Sequence, residues 1–166
     1  MIADYKDFSY YFEELDERIA LVTNNISKKI DGFEPEYDYF YKEVSLNDED
    51  LKSVYDIHFW VKYCDSVETE EIWLADRGRP IGIRVPDINV GEIIIEVSHN
   101  AKDKSWTTYE NGAAAKIINI SDCQEYKIEK IYHKRDGKIV DKEKETLSVS
   151  MDEFKEMMMD YDWNLI

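Results

Sequence analysis

Asp56-Ile57-His58 is the one short segment of this chain with the residue types of a proton-transfer pair. On a strand, positions two apart project from the same face, so the carboxylate can orient the imidazole as a general base. The plainer reading is a surface or interface pair, which the same residues form more often. His99 stands beside Ser98 and Asn100, just after an apolar run ending at Val97. Strand ends are where active-site residues often sit, and also where ordinary loops begin. His133 is isolated in sequence. Cys64 and Cys123 lie far apart and fit no disulfide framework or metal spacing, so two reduced thiols are expected. Whether they pair is a matter of spatial proximity, which spacing does not give.

A second set of acids resembles part of a metal-dependent nuclease of the restriction-endonuclease type. Pro86-Asp87 is followed by Glu96-Val97-Ser98 around an apolar run. Ser98 stands where that pattern has a lysine, so the group that positions the attacking water is missing. A turn followed by a strand accounts for the same residues. A small hydrolase or nuclease using Asp56 with His58, or Asp87 with Glu96, is therefore the lesser expectation. There is no glycine-rich dinucleotide fingerprint, P-loop, His-Glu-x-x-His, Gly-x-Ser-x-Gly or Cys-x-x-Cys. Asp48, Glu49 and Asp50 are consecutive, whereas an EF-hand alternates its oxygen ligands. No cofactor, metal or catalytic residue is assigned.

The elements that must position these residues follow from periodicity. Phe8, Tyr11, Phe12, Leu15, Ile19, Val22, Ile26 and Ile30 recur at steps of three and four, which predicts an N-terminal helix. Asp4 or Asp7 caps it in this reading, and Gly32 ends it. Tyr37, Tyr39 and Tyr41 alternate with Asp38, Phe40 and Lys42, as a strand does. Further strands are expected at 56–63, 70–74, 81–85, 92–97, 106–109, 126–134 and 138–149, and at 113–120, where a helix is the alternative and Ile117, Ile118 and Ile120 favour the strand. Ile93-Ile94-Ile95 lacks polar alternation, the mark of a central strand covered on both faces. Arg135-Asp136-Gly137 signals a hairpin. Ser150-Met-Asp-Glu153 has the capping-box pattern, followed by an apolar stripe from Phe154 to Tyr161. The expected fold class is α+β. It is a largely antiparallel sheet with an N-terminal and a short C-terminal helix packed on one face, in a single domain over residues 1–166.

Composition narrows the function. The chain has 37 Asp and Glu against 21 Lys and Arg, a net charge of −16. Residues 1–76 hold 20 acids and 7 bases, a net of −13. Such a surface repels nucleic acid and anionic membranes and attracts basic proteins. The lysines of the expected 126–149 hairpin, Lys127, Lys130, Lys134, Lys138, Lys142 and Lys144, alternate with acids. They read as a solvated surface. The N-terminus has neither a basic region nor an apolar core of an export signal, and no apolar run reaches membrane-span length. A cytoplasmic protein is expected.

The remaining acidity lies in residues 33–76, interleaved with aromatics. Aromatic side chains make large anchors at low entropic cost, and surrounding carboxylates speed docking to a basic target. The expected partner-binding residues are Tyr37, Asp38, Tyr39, Tyr41, Glu43, Asp48, Glu49, Asp50, Asp65, Glu68, Glu70 and Glu71. The plainer alternative has the aromatics facing a core and the acids facing water.

In size, acidity and element order, closing with Val149, Ser150-Met-Asp-Glu153, the Phe154–Tyr161 helix and Trp163, the chain resembles the acidic immunity proteins that bacteria pair with secreted nuclease or deaminase toxins. That resemblance implies a protein-binding inhibitor that neutralises a basic, nucleic-acid-acting toxin by blocking its active site. A phage-encoded DNA mimic directed at a host defence nuclease is the alternative that acidity suits equally.

Overall fold

The computed structural model describes residues 1–15, 18–63, 72–76, 91–97, 107–108 and 114–160. They are mostly strand. The N-terminal helix is absent: after β1 (Ile2–Tyr5), the stripe from Phe8 onward forms β2 (Phe8–Leu15), β3 (Arg18–Thr23) and a single 3-10 turn at Ile26–Lys28. Two residues show that the helical stripe is not the buried face. Tyr10, which a helix would leave off the apolar face, is 1% exposed, and its hydroxyl donates to the Lys28 carbonyl at 2.8 Å. Ile26, which a helix would bury, is 75% exposed. Tyr10 and Phe12 are two apart and both buried, the period of a strand. Aromatic and β-branched residues favour that pleated surface over a helix. Asp4 is no helix cap; its Oδ1 accepts from Ser9 Oγ at 2.6 Å and from the Tyr55 hydroxyl at 3.2 Å.

The chain continues through β4 (Glu34–Glu36), β5 (Tyr39–Glu43), β6 (Leu51–Tyr63), β7 (Ile72–Asp76), β8 (Glu92–Val97), β9 (Thr107–Thr108), β10 (Ala114–Asn119), β11 (Cys123–Arg135) and β12 (Lys138–Val149). It closes with α1 (Met151–Asp160). A nine-stranded sheet runs β12-β11-β6-β1-β2-β3-β5-β4, with β7 also paired to β6. A three-stranded sheet runs β8-β10-β9. Among the described residues the isoleucine run lies in β8, which pairs with β10. The expected strand at 81–85 lies outside the described residues.

By contacts the chain forms two compact units. The first gathers the described residues of Met1–Ile57, Lys130–Glu145 and Met158–Ile166. Its core joins Ala3, Tyr5, Tyr10, Phe12, Leu21, Phe33, Leu51 and Val54. Tyr10 stacks on Phe33 with centroids 5.1 Å apart. The β11–β12 turn is Asp136-Gly137, with φ of 48° and 77°. That is the double left-handed geometry which Asp-Gly accommodates in a two-residue hairpin.

The second unit gathers the described residues of His58–Glu129 and Thr146–Met157. Phe154 of α1 is fully buried there, edge-on to Phe59 and tilted on Tyr126, each at 5.3 Å. The capping box forms as spaced in the sequence. The Ser150 amide donates to Glu153 Oε2 at 2.8 Å, and the Glu153 amide donates back to Ser150 Oγ at 3.3 Å. No helix among the described residues is long and apolar enough to cross a membrane.

Candidate functional site

The β4–β5 hairpin carries the first group of expected partner-binding residues. Its register, Glu34↔Tyr41, Pro35↔Phe40 and Glu36↔Tyr39, leaves Tyr37 and Asp38 as the two turn residues. Tyr37 therefore stands outside the strand in which alternation had set it. It is 95% exposed and holds a φ of 53°. Left-handed backbone suits glycine or asparagine; a residue with a bulky Cβ substituent is strained there. Phe40 packs against the core. Its neighbours Tyr39 and Tyr41 therefore lie on the opposite face of the strand, half-buried. The Tyr41 hydroxyl donates to Glu34 Oε2 at 3.2 Å. Glu34, Asp38 and Glu43 are exposed.

The second group, Asp48, Glu49 and Asp50, lies on the loop between β5 and β6. Glu49 and Asp50 are exposed and Asp48 is half-buried. The loop is held by its own bonds. The Asp48 amide donates to the Ser45 carbonyl at 2.9 Å, and the Leu51 amide to the Asp48 carbonyl at 3.2 Å. The Asp50 amide donates to Asp48 Oδ1 at 3.0 Å, and Asp50 Oδ2 lies 3.4 Å from Lys6 Nζ. Asp65, Glu68, Glu70 and Glu71 lie outside the described residues, as do Cys64, Asp87 and His99. Among the other aromatics of the acidic stretch, Tyr55 and Phe59 are core residues.

Asp56 and His58 stay on one face of β6, but the Asp56 carboxylate bonds a histidine of another strand. Asp56 Oδ2 meets His133 Nε2 of β11 at 2.8 Å, both side chains part-exposed. Among the described residues, no three of His, Cys, Asp and Glu converge as metal ligands. Cys123 is buried as a free thiol, and burial, with the Asp122 carboxylate adding to it, pushes that thiol up to about 12.

Sequence reasoning placed the β11 lysines on a solvated surface, and two of them are not there. Lys134 is 3% exposed. Lys130 lies with Nζ 4.3 Å from the Tyr55 ring centroid. Burial lowers its ammonium below the ordinary lysine range, although Asp4 and Glu145 pull the other way. Those two carboxylates are engaged by other donors. Ser9 and Tyr55 bond Asp4; the Tyr132 hydroxyl donates to Glu145 Oε2 at 2.9 Å, and Arg135 Nη2 to Glu145 Oε1 at 2.8 Å. The Tyr132 bond, and then the Arg135 bond, hold the Glu145 carboxyl below its usual range, while burial, foremost, raises the Tyr132 hydroxyl. With mutually satisfied partners, this network braces the sheet. The available signal was alternation: Ile128, Lys130, Tyr132 and Lys134 share one face of β11, and Ile128 is fully buried.

No family model matches the chain, and no curated protein or solved structure matches it.

Proposed function

We propose that this protein is a binding protein for a basic partner. In the fullest form of that reading it is a cytoplasmic immunity protein that neutralises a nucleic-acid-acting toxin by covering its active site. The observation that supports the reading is Tyr37: a large aromatic side chain, 95% exposed, on a left-handed turn residue. A turn needed only to reverse the chain is better served by glycine or asparagine. Keeping tyrosine there costs stability and leaves a phenol ring in water. A partner pocket that buries the ring takes it out of water and so offsets the cost of keeping tyrosine at that position. Asp38 follows it in the turn, and Glu34 and Glu36 lie on β4 of the same hairpin, an acidic setting that suits a cationic rim on the partner.

The test is co-expression with the product of the adjacent gene. A toxic neighbour whose growth arrest is relieved by this protein, and no longer relieved by Tyr37→Ala, supports the reading. A neighbour that is harmless and does not bind argues against an immunity role. Phage structural genes on both sides would turn the interpretation to an inhibitor that mimics DNA.

A further inference from the structure

A buried ammonium is costly unless acceptors meet its protons. Lys134, 3% exposed, meets two, and neither is a carboxylate. Its Nζ donates to the Leu46 carbonyl at 2.7 Å and to the Asp48 carbonyl at 3.1 Å. The acids of the same loop are directed elsewhere. Asp48 Oδ1 accepts the Asp50 amide, Asp50 Oδ2 faces Lys6, and Glu49 is exposed. The charge is thus held by main-chain oxygens, whose positions are the path of the loop itself. Converging carbonyl dipoles are one way proteins bind cations that have shed their water. The Asp48 carbonyl also receives the Leu51 amide at 3.2 Å, so the ammonium and the end of the loop share one acceptor.

The geometry points to a cation site, made by the Leu46 and Asp48 carbonyls and filled by the protein's own Lys134 ammonium, that sets the conformation of the acidic loop 45–50. Three consecutive carboxyl residues, Asp48, Glu49 and Asp50, repel one another, and a cation beneath their backbone offsets that repulsion. Emptied of its tethered head group, the site takes a small alkylammonium ion. This concerns the order of the loop and holds whether or not the loop touches a partner. The rival explanation is that the lysine's aliphatic stem supports the loop by packing alone.

Amide hydrogen exchange on the full chain separates the two. Lys134→Met keeps the bulk of the stem and removes the charge. Exchange at Asp48, Asp50 and Leu51 should quicken at least tenfold, with Val54 and Tyr55 unchanged. In Lys134→Ala, methylammonium should slow exchange at those three amides again, and tetramethylammonium, which has no N–H to donate, should not. Unchanged loop exchange in Lys134→Met overturns the inference, as does equal rescue by both ions. Should either variant lose protection throughout, the wild type decides by NMR. A slowly exchanging Lys134 ammonium coupled through hydrogen bonds to carbonyl carbons 46 and 48 supports the site. An ammonium that exchanges like that of exposed Lys138 refutes it.

Discussion

Asp56 and His133, 77 positions apart, meet side chain to side chain at 2.8 Å across the β6–β11 pairing. The nearer histidine, His58, shares a strand face with Asp56 but is not its bonded partner. Because both members of the pair are part-exposed, water and salt screen it. A double-mutant cycle with Asp56→Asn and His133→Gln, read by urea denaturation, should give a coupling below about 1 kcal/mol that shrinks as salt is added. A coupling several times larger would mark the pair as an organising element of the sheet.

Tyr37 makes stability and binding move in opposite directions. Replacing it with glycine removes a side chain that packs on little, since it is 95% exposed, and relieves the left-handed backbone. Tyr37→Gly should be as stable as the wild type, or more stable by up to about 1 kcal/mol. The same variant should lose affinity for the basic partner. Destabilisation on chemical denaturation would show that the ring supports the hairpin, and the case for an exposed anchor would fall.

Legibility in the sequence followed the reach of each interaction. The capping box of Ser150 and Glu153 spans three residues and forms as spaced. The Asp136-Gly137 turn is likewise local. The N-terminal elements were misread because apolar residues at steps of three and four also arise from successive short strands. The burial of Tyr10 and Leu21, off the stripe, and the exposure of Ile26, on it, distinguish the two arrangements. The Asp56–His133 contact and the Lys134 cage depend on pairing β11 with β6 and on a loop more than eighty residues away. No local pattern carries that information. Of the expected partner surface, the turn at Tyr37 and Asp38 is more exposed than alternation implied, while Tyr39 and Tyr41 are half-buried.

Phe154 should fasten α1 to its unit. It is fully buried and touches the rings of Phe59 and Tyr126. Phe154→Ala leaves a cavity of most of a ring and should cost about 3–5 kcal/mol in urea denaturation. Phe154→Leu refills much of that volume and should cost clearly less. Equal and small losses in both would mean that the helix contributes little to the core.

Cys123 supplies the clearest dependence on pH. In the unfolded chain a thiol ionises near about 8.5. In the folded protein burial, with Asp122 adding to it, pushes that thiol up to about 12. The native state therefore keeps a proton that the unfolded state gives up. The contribution is fully present below about pH 8.5, and stability falls as pH rises through the window up to about 12. Tyr126, whose hydroxyl donates to the Cys123 carbonyl at 3.1 Å and is itself raised chiefly by burial, acts in the same direction at the alkaline end. Two measurements check this. Peptide-resolved alkylation with iodoacetamide at pH 8 should leave Cys123 unmodified in the native protein and label it fully in urea, because the thiolate is the nucleophile. Denaturation midpoints should decline between pH 8.5 and 11, and Cys123→Ala should flatten part of that decline. Rapid native labelling of Cys123 would show that the thiol is neither buried nor held protonated.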